Sequence, residues 1–271
     1  MTRARRSDRF IHSEGLLETT SATARYPGLK HQADEWKCRG ALFQAVRRFM
    51  RAQFGRPTGL WGVIAGKLMA HSSSNRDRIR WTMSLLDIQP SDRVLEIGFG
   101  PGVAIELASR LATRGFVAGV DHSEVMLRQA ARLNAPAIRD GRVELRVGSA
   151  SELPSFDRPF DKIFTINSIH FWTDPVECLK RTRALLRPGG MIAVAFQPRW
   201  RSATDSTARI IGEELAANLK IAGFVHCVLA MRQTETAPVA FAIAVKGSRE
   251  ADFRGTTRRL LNEPEWESCV Y

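Results

Sequence analysis

Between Val94 and Gly102 the chain reads VLEIGFGPG, an apolar run carrying a carboxylate, Glu96, and then glycines at alternate positions, Gly98, Gly100 and Gly102. Without side chains there, the backbone can turn sharply and bring its amides close to a small molecule. A second carboxylate follows: Asp121 closes the apolar run FVAGV about twenty residues past the loop, the separation at which a βαβ unit delivers an acid to ribose hydroxyls. Together the two features point to a nucleoside ligand. They do not point to a dinucleotide, because the glycines run G-x-G-x-G and Val103 stands where the third glycine of a pyrophosphate loop belongs.

Such groups converge only if the elements carrying them lie side by side. From Pro90 onward strand and helix patterns alternate, with strands near 93–97, 116–120, 142–147, 161–166 and 190–196 and helices near 102–113, 123–134, 174–187 and 203–222. That alternation predicts a mostly parallel sheet covered on both faces, with ligands outside the carboxyl ends of the strands where their order reverses. Glu96 to Gly102, Asp121, Ser149 with Ala150, and Asn167 all fall at such ends. Two last strands, about 224–230 and 238–246, are close enough to form an antiparallel hairpin at one edge.

Upstream, Trp36, Leu42, Val46, Phe49, Met50 and Phe54 have the spacing of an amphipathic helix. Helical stretches near 60–70 and 76–86, separated by the polar turn HSSSN, complete a cap over the cleft. GVIAGKL at 62–68 is not a phosphate-binding loop: it has one residue too few between its glycine and the lysine step, and Leu68 stands where a magnesium-binding hydroxyl belongs. The division expected is a disordered basic tail over 1–25, a helical cap over 26–88, a catalytic domain over 89–247, and a C-terminal tail or short surface helix over 248–271.

Composition narrows the class. The chain has 271 residues, 44% of them hydrophobic, enough for one substantial core with appendages. Its longest apolar run, PVAFAIAV at 238–245, has the length of a strand and falls short of a membrane span. Cys38, Cys178, Cys227 and Cys269 form no C-x-x-C pair and no metal-ligand grouping, which fits thiols in a reducing, cytoplasmic compartment and excludes iron–sulfur radical chemistry. A net charge of +12 invites phosphates, yet the arginines are dispersed and lack interleaved aromatic platforms of the kind that bind single strands.

Five motifs in order carry a family resemblance: VLEIGFGPG, GVDHS at 119–123, VGSASELP at 147–154, DKIFTINSIHFW at 161–172 and LLRPGGMIAVAF at 185–196. Over about residues 80–246 the sequence resembles the class I S-adenosylmethionine-dependent methyltransferases, of the small-molecule type grouped with ubiquinone and menaquinone methyltransferases. The resemblance implies an α/β fold: a Rossmann-like, seven-stranded, mostly parallel sheet flanked by helices, with an antiparallel C-terminal edge hairpin and an N-terminal helical cap. It implies S-adenosyl-L-methionine as cofactor and S-adenosyl-L-homocysteine as product. The loop Gly98–Gly102 would hold the methionine portion, with Glu96 ordering the loop and the amino group. Asp121 would hold the ribose, His122 and Met126 would flank the adenine with Ser149 and Ala150 at its edge, and Asn167 would complete the cofactor wall. Core packing explains Met126 equally well. Ser149 departs from the family, which usually places an Asp there, and a neutral acceptor implies a weaker bond to the adenine amino group.

Transfer from a sulfonium is an in-line displacement whose leaving group is already good, so alignment and desolvation dominate. A base is needed where the acceptor arrives protonated. His170 is the candidate, with a structural, cleft-lining role as its alternative. Phe171 and Trp172 could line a pocket for an aromatic or lipid-like acceptor, or pack in the core. The segment Asn167, Ser168, Ile169, His170 lacks the two prolines that resemblance to base-amino methyltransferases would require, and no Pro-Cys nucleophile is present. The expected partner is therefore a small-molecule acceptor, without nucleic acid or membrane span, and compatible with a homodimer. RNA or protein methylation through the basic extensions, a non-catalytic S-adenosylmethionine-binding protein, and a nicotinamide oxidoreductase are the competing readings.

Overall fold

The computed structural model describes residues 73–198, 203–234, 238–247 and 267–270. The basic tail, the cap as far as residue 72, and 248–266 lie outside the described residues.

Alternating apolar and polar segments become eight strands and six helices among the described residues. In chain order they are α1 (Ser73–Leu86), β1 (Arg93–Ile97), α2 (Val103–Leu111), β2 (Phe116–Asp121), α3 (Glu124–Leu133), α4 (Ala135–Arg139), β3 (Val143–Val147), β4 (Phe160–Ile166), α5 (Pro175–Leu185), β5 (Leu186–Phe196), α6 (Asp205–Ile221), β6 (Val225–Arg232), β7 (Val239–Val245) and β8 (Glu267–Val270). One sheet holds all the strands in the order β3-β2-β1-β4-β5-β7-β6-β8. The first five run parallel; β7 is antiparallel to both β5 and β6.

The seven expected strands are present, and β7 inserts between β5 and β6. An eighth joins them. The segment expected to be only a tail or surface helix contributes β8, which pairs antiparallel with β6 from Val228↔Val270 to Met231↔Glu267. Helix α1 also starts earlier than expected, at Ser73, inside the polar turn. Its polar residues find partners: Ser74 Oγ donates to Gln197 Oε1 at 3.2 Å, and Asn75 Oδ1 accepts from Arg78 at 3.0 Å.

The central strands are buried on both faces, so they read as nearly continuous apolar runs. All of β7, VAFAIAV, is buried, as is β5 from Gly190 to Phe196. On one face α1 to α4 share a cluster with Val94, Phe164, Ala193 and Phe241; α5 and α6 pack against each other, α6 also against β6 and β7. Helix starts are placed by side chains that satisfy orphan amides. Ser123 accepts from Met126 N–H at α3, Asp174 from Glu177 N–H at α5, and Thr204 from Thr207 N–H at α6. The strand order reverses between β1 and β4, with β2 on the other side of β1, the place where open parallel sheets bind ligands.

Candidate functional site

At the carboxyl end of β1 the loop turns back on its neighbours. Gly98 N–H donates to Val120 O at 2.7 Å and Gly102 N–H to Phe99 O at 3.0 Å. The glycines serve different ends. A Cβ on Gly98 would lie 2.1 Å from Ser168 Oγ, and one on Gly102 would lie 2.5 Å from the Cβ of Ala130 on α3. Those two positions let the loop press against the β4 turn and against a helix. Gly100, at φ +51°, would meet nothing within 4 Å. The middle glycine is therefore not pressed against protein as the other two are.

Two carboxylates stand at this end of the sheet, and one of them holds the Gly100 amide. Asp121, at the tip of β2, is 6% exposed. Its Oδ2 accepts from Gly100 N–H at 2.8 Å and its Oδ1 from Ser123 N–H at 2.9 Å, while His122 Nδ1 lies 3.6 Å from Oδ1. One acid thus fixes the loop's middle and the start of α3 together, and each oxygen retains acceptor capacity for a diol. Burial raises the Asp121 carboxyl from its ordinary value, and the amides of Gly100 and Ser123, with His122, pull it back. Glu96 is more enclosed, at 3% exposure, and its Oε2 has no hydrogen-bond partner among the described residues. Burial, with the Asp121 charge added to it, holds the Glu96 carboxyl well above the usual carboxylate range.

The remaining residues singled out in the sequence occupy the same end of the sheet in different settings. His122 is about half exposed beside Asp121. Met126 is buried in the cluster beneath α2 and α3, as a core side chain. Ser149 is exposed and its Oγ shares a hydrogen bond with Ser151 Oγ at 2.8 Å, with Ala150 buried next to it. Asn167, in a left-handed conformation at φ +51°, uses its Oδ1 to accept from Gln197 N–H at 2.8 Å, which ties the ends of β4 and β5. His170 does not stand on an open wall: a short 3-10 turn over Ile169–Phe171 folds it inward, fully buried, with ring centroids 4.0 Å from Phe171 and 5.3 Å from Phe196. Trp172 is buried and donates its Nε1–H to Ser168 Oγ at 3.3 Å; Phe171 is partly exposed.

Three residues of this region were missed in the sequence. Ser168 is pressed under Gly98. Gln197, 1% exposed just past β5, accepts from Ser74 and from the buried Arg78 of α1 and donates to Thr234 Oγ at 3.0 Å. The rule that singled out strand ends elsewhere applies to Gln197 as well. Arg78 carries no comparable signal, because its partner is 119 residues away.

A glycine turn after the first strand, an acid at the tip of the second and a strand order that reverses between β1 and β4 define a Rossmann-like α/β domain. Comparison with known proteins narrows the class. The methyltransferase domain profile matches residues 94–190. The uncharacterised methyltransferase YdaC of Bacillus subtilis (strain 168) is 33% identical over 162 residues, covering 60% of this chain and 86% of that protein. A trans-aconitate 2-methyltransferase of Pseudomonas aeruginosa is 36% identical over 138 residues, 50% of this chain and 47% of that enzyme. The chain spans about half the length of several such relatives. Among solved structures the [4+2]-cyclase SpnF shares the fold, with a TM-score of 0.53 at 17% identity over 66% of this chain and 84% of SpnF. The chain belongs to the class I S-adenosylmethionine-dependent methyltransferases. No helix among the described residues is long and apolar enough to cross a membrane.

Proposed function

We propose that this enzyme binds S-adenosylmethionine over the Gly98–Gly102 loop and transfers its methyl group to a small organic acceptor by in-line displacement. The observation that carries this reading is the open side of Gly100, whose N–H is held by Asp121, together with the buried Glu96 on the adjoining strand, one oxygen of which has no partner among the described residues. S-adenosylmethionine is a cation with a ribose diol, and that donor set suits it. Asp121 would accept from the diol while keeping its bonds to Gly100 and Ser123. The Glu96 carboxylate would receive the amino group. His122 and the Ser149–Ala150 turn would border the adenine, with Ser149 offering a neutral acceptor.

When bound, the cofactor supplies a methyl on a sulfonium whose leaving group is a neutral thioether. The chain's own residues then have to align the acceptor and exclude water. Trp172 and the Asn167–Gln197 link build the wall at the ends of β4 and β5. An acceptor that arrives ionised needs no base. His170, enclosed against Phe171 and Phe196, takes the structural alternative in this reading, so His170→Gln should lower stability in urea unfolding and leave the shape of the kcat pH profile unchanged.

Calorimetric titration with S-adenosylhomocysteine and, separately, NAD tests the cofactor: binding of the former alone is expected, and binding of NAD alone would sink the reading. Label from methyl-labelled S-adenosylmethionine should then enter the small-molecule fraction of a cell extract. Label appearing in RNA or protein instead would redirect the acceptor assignment.

A further inference from the structure

Glu96 and Asp121 sit on adjoining parallel strands. Glu96 is in register with Gly119, and side chains alternate along a strand, so Asp121, two residues further on, projects from the same face as Glu96. The two acids are treated unequally. Asp121 has the N–H groups of Gly100 and Ser123 and the neighbouring His122 to hold its charge. Glu96 Oε2 has no such donor among the described residues, and the residue is almost fully enclosed. A second negative charge on the same face, nearly out of solvent and with one oxygen lacking a donor, is strongly disfavoured.

Resting on the methyltransferase reading above, we propose that Glu96 is a neutral carboxylic acid in the ligand-free enzyme and that the cationic amino group of the cofactor displaces its proton on binding. The step balances: Glu96–COOH and R–NH3⁺ give a Glu96–COO⁻/R–NH3⁺ pair and one H⁺ released to solvent. No covalent bond other than the O–H bond changes.

The charged groups bearing on this titration among the described residues are few. Asp121, from β2, acts on Glu96 directly and opposes its ionisation. His122, just past β2, acts on Asp121 and favours its charge. Burial is the largest influence on both acids. A cation brought to the Glu96 carboxylate reverses the balance by supplying the counter-charge that the fold leaves out. Cofactor affinity should therefore rise with pH, and nucleosides without an amino group should bind without releasing the Glu96 proton.

The test is calorimetry of the full chain at pH 6.5 in three buffers of different ionisation enthalpy. The probes are S-adenosylhomocysteine, which carries the amino group, and 5′-methylthioadenosine, which lacks it. Observed enthalpy plotted against buffer ionisation enthalpy should show proton release with the first and none with the second. Equal release with both probes, or none with S-adenosylhomocysteine, would overturn the proposal while leaving the cofactor site intact. Failure of S-adenosylhomocysteine to bind at all would instead remove the nucleoside reading and the proposal with it. Glu96→Gln should bind S-adenosylhomocysteine more weakly and without release; release that persists in it overturns the assignment to Glu96. If that variant does not fold, the wild-type Kd decides, since one coupled proton makes affinity rise about tenfold per pH unit below the Glu96 titration. A Kd flat between pH 5 and 8 contradicts the proposal.

Discussion

The two ends of the sheet use their carboxylates in opposite ways. At the amino end, where β1, β4 and β5 begin, Asp161 accepts from Arg93 N–H at 2.7 Å and from Arg187 Nε at 2.5 Å, and Arg93 reaches Asp157 at 2.8 Å. Asp92 caps the turn at Gln89 N–H at 2.8 Å, and the nearby Lys162, its ammonium disfavoured mainly by burial, feels the opposing charge of Asp92. Asp161 and Asp157 there are each paired with an arginine of the chain. At the carboxyl end, Asp121 is held by backbone amides and Glu96 Oε2 by nothing among the described residues. The contrast separates an end where acids are paired with bases of the chain from an end where one carboxylate oxygen is left without a partner among the described residues, as the proposed binding of a cationic cofactor requires.

The coarsest way to break this contrast uses one glycine from each end. A Cβ on Gly115 would fall 2.0 Å from the Asp92 carbonyl oxygen, a backbone atom that cannot step aside. Gly115→Ala should cost about 2–4 kcal/mol in urea unfolding. Gly100→Ala has open space and only its left-handed backbone to strain, so about 1 kcal/mol is expected, together with a clear loss of S-adenosylhomocysteine affinity. Equal stability losses would blur the distinction between the ends.

A sharper probe compares two acids. Asp121→Asn should weaken S-adenosylhomocysteine binding about 10- to 100-fold, since a hydrogen bond to a charged group contributes about 1.5–3 kcal/mol. Asp161→Asn should leave that Kd unchanged and lower stability by about 1–2 kcal/mol. Comparable Kd losses in both variants would mean that the ends are not separate.

The pH dependence of stability gives a third. Glu96 titrates above its ordinary 4.5 in the folded chain, so between that value and its folded value the native state holds more protons than the unfolded one, and stability falls as pH rises. Ligand-free Glu96→Gln should therefore unfold at higher urea than the wild type at pH 8, with the gap closing toward pH 4.5. A gap independent of pH would mean that Glu96 is not held neutral by the fold. The smallest effect belongs to Ser149→Asp: a charged acceptor is worth roughly twice a neutral one, so affinity for S-adenosylhomocysteine should tighten by about fivefold, and an unchanged Kd would place the adenine amino group elsewhere.

Much of the architecture was legible because it is written locally. Period and turn chemistry marked β1 to β7 to within a few residues, and the acids at strand ends followed from where an open parallel sheet binds ligands. β8 was not legible: ESCV at 267–270 has no alternation of its own and becomes a strand only by pairing with β6 some forty residues earlier. His170 looked like a cleft residue by sequence distance from β4, and a single 3-10 turn decided that it lies between Phe171 and Phe196. Arg78 and Gln197 meet across 119 residues, which no local pattern encodes.

Residue type and spacing alone determined that this chain builds a parallel α/β sheet with a glycine turn and an acid at its first two strand ends, because both depend on backbone freedom and periodicity within a few residues. Tertiary packing decided which groups at those ends are satisfied. The lone oxygen of Glu96, the anchored oxygens of Asp121 and the enclosed ring of His170 depend on contacts between distant segments and on the loss of water around them, and neither exists until the sheet has closed.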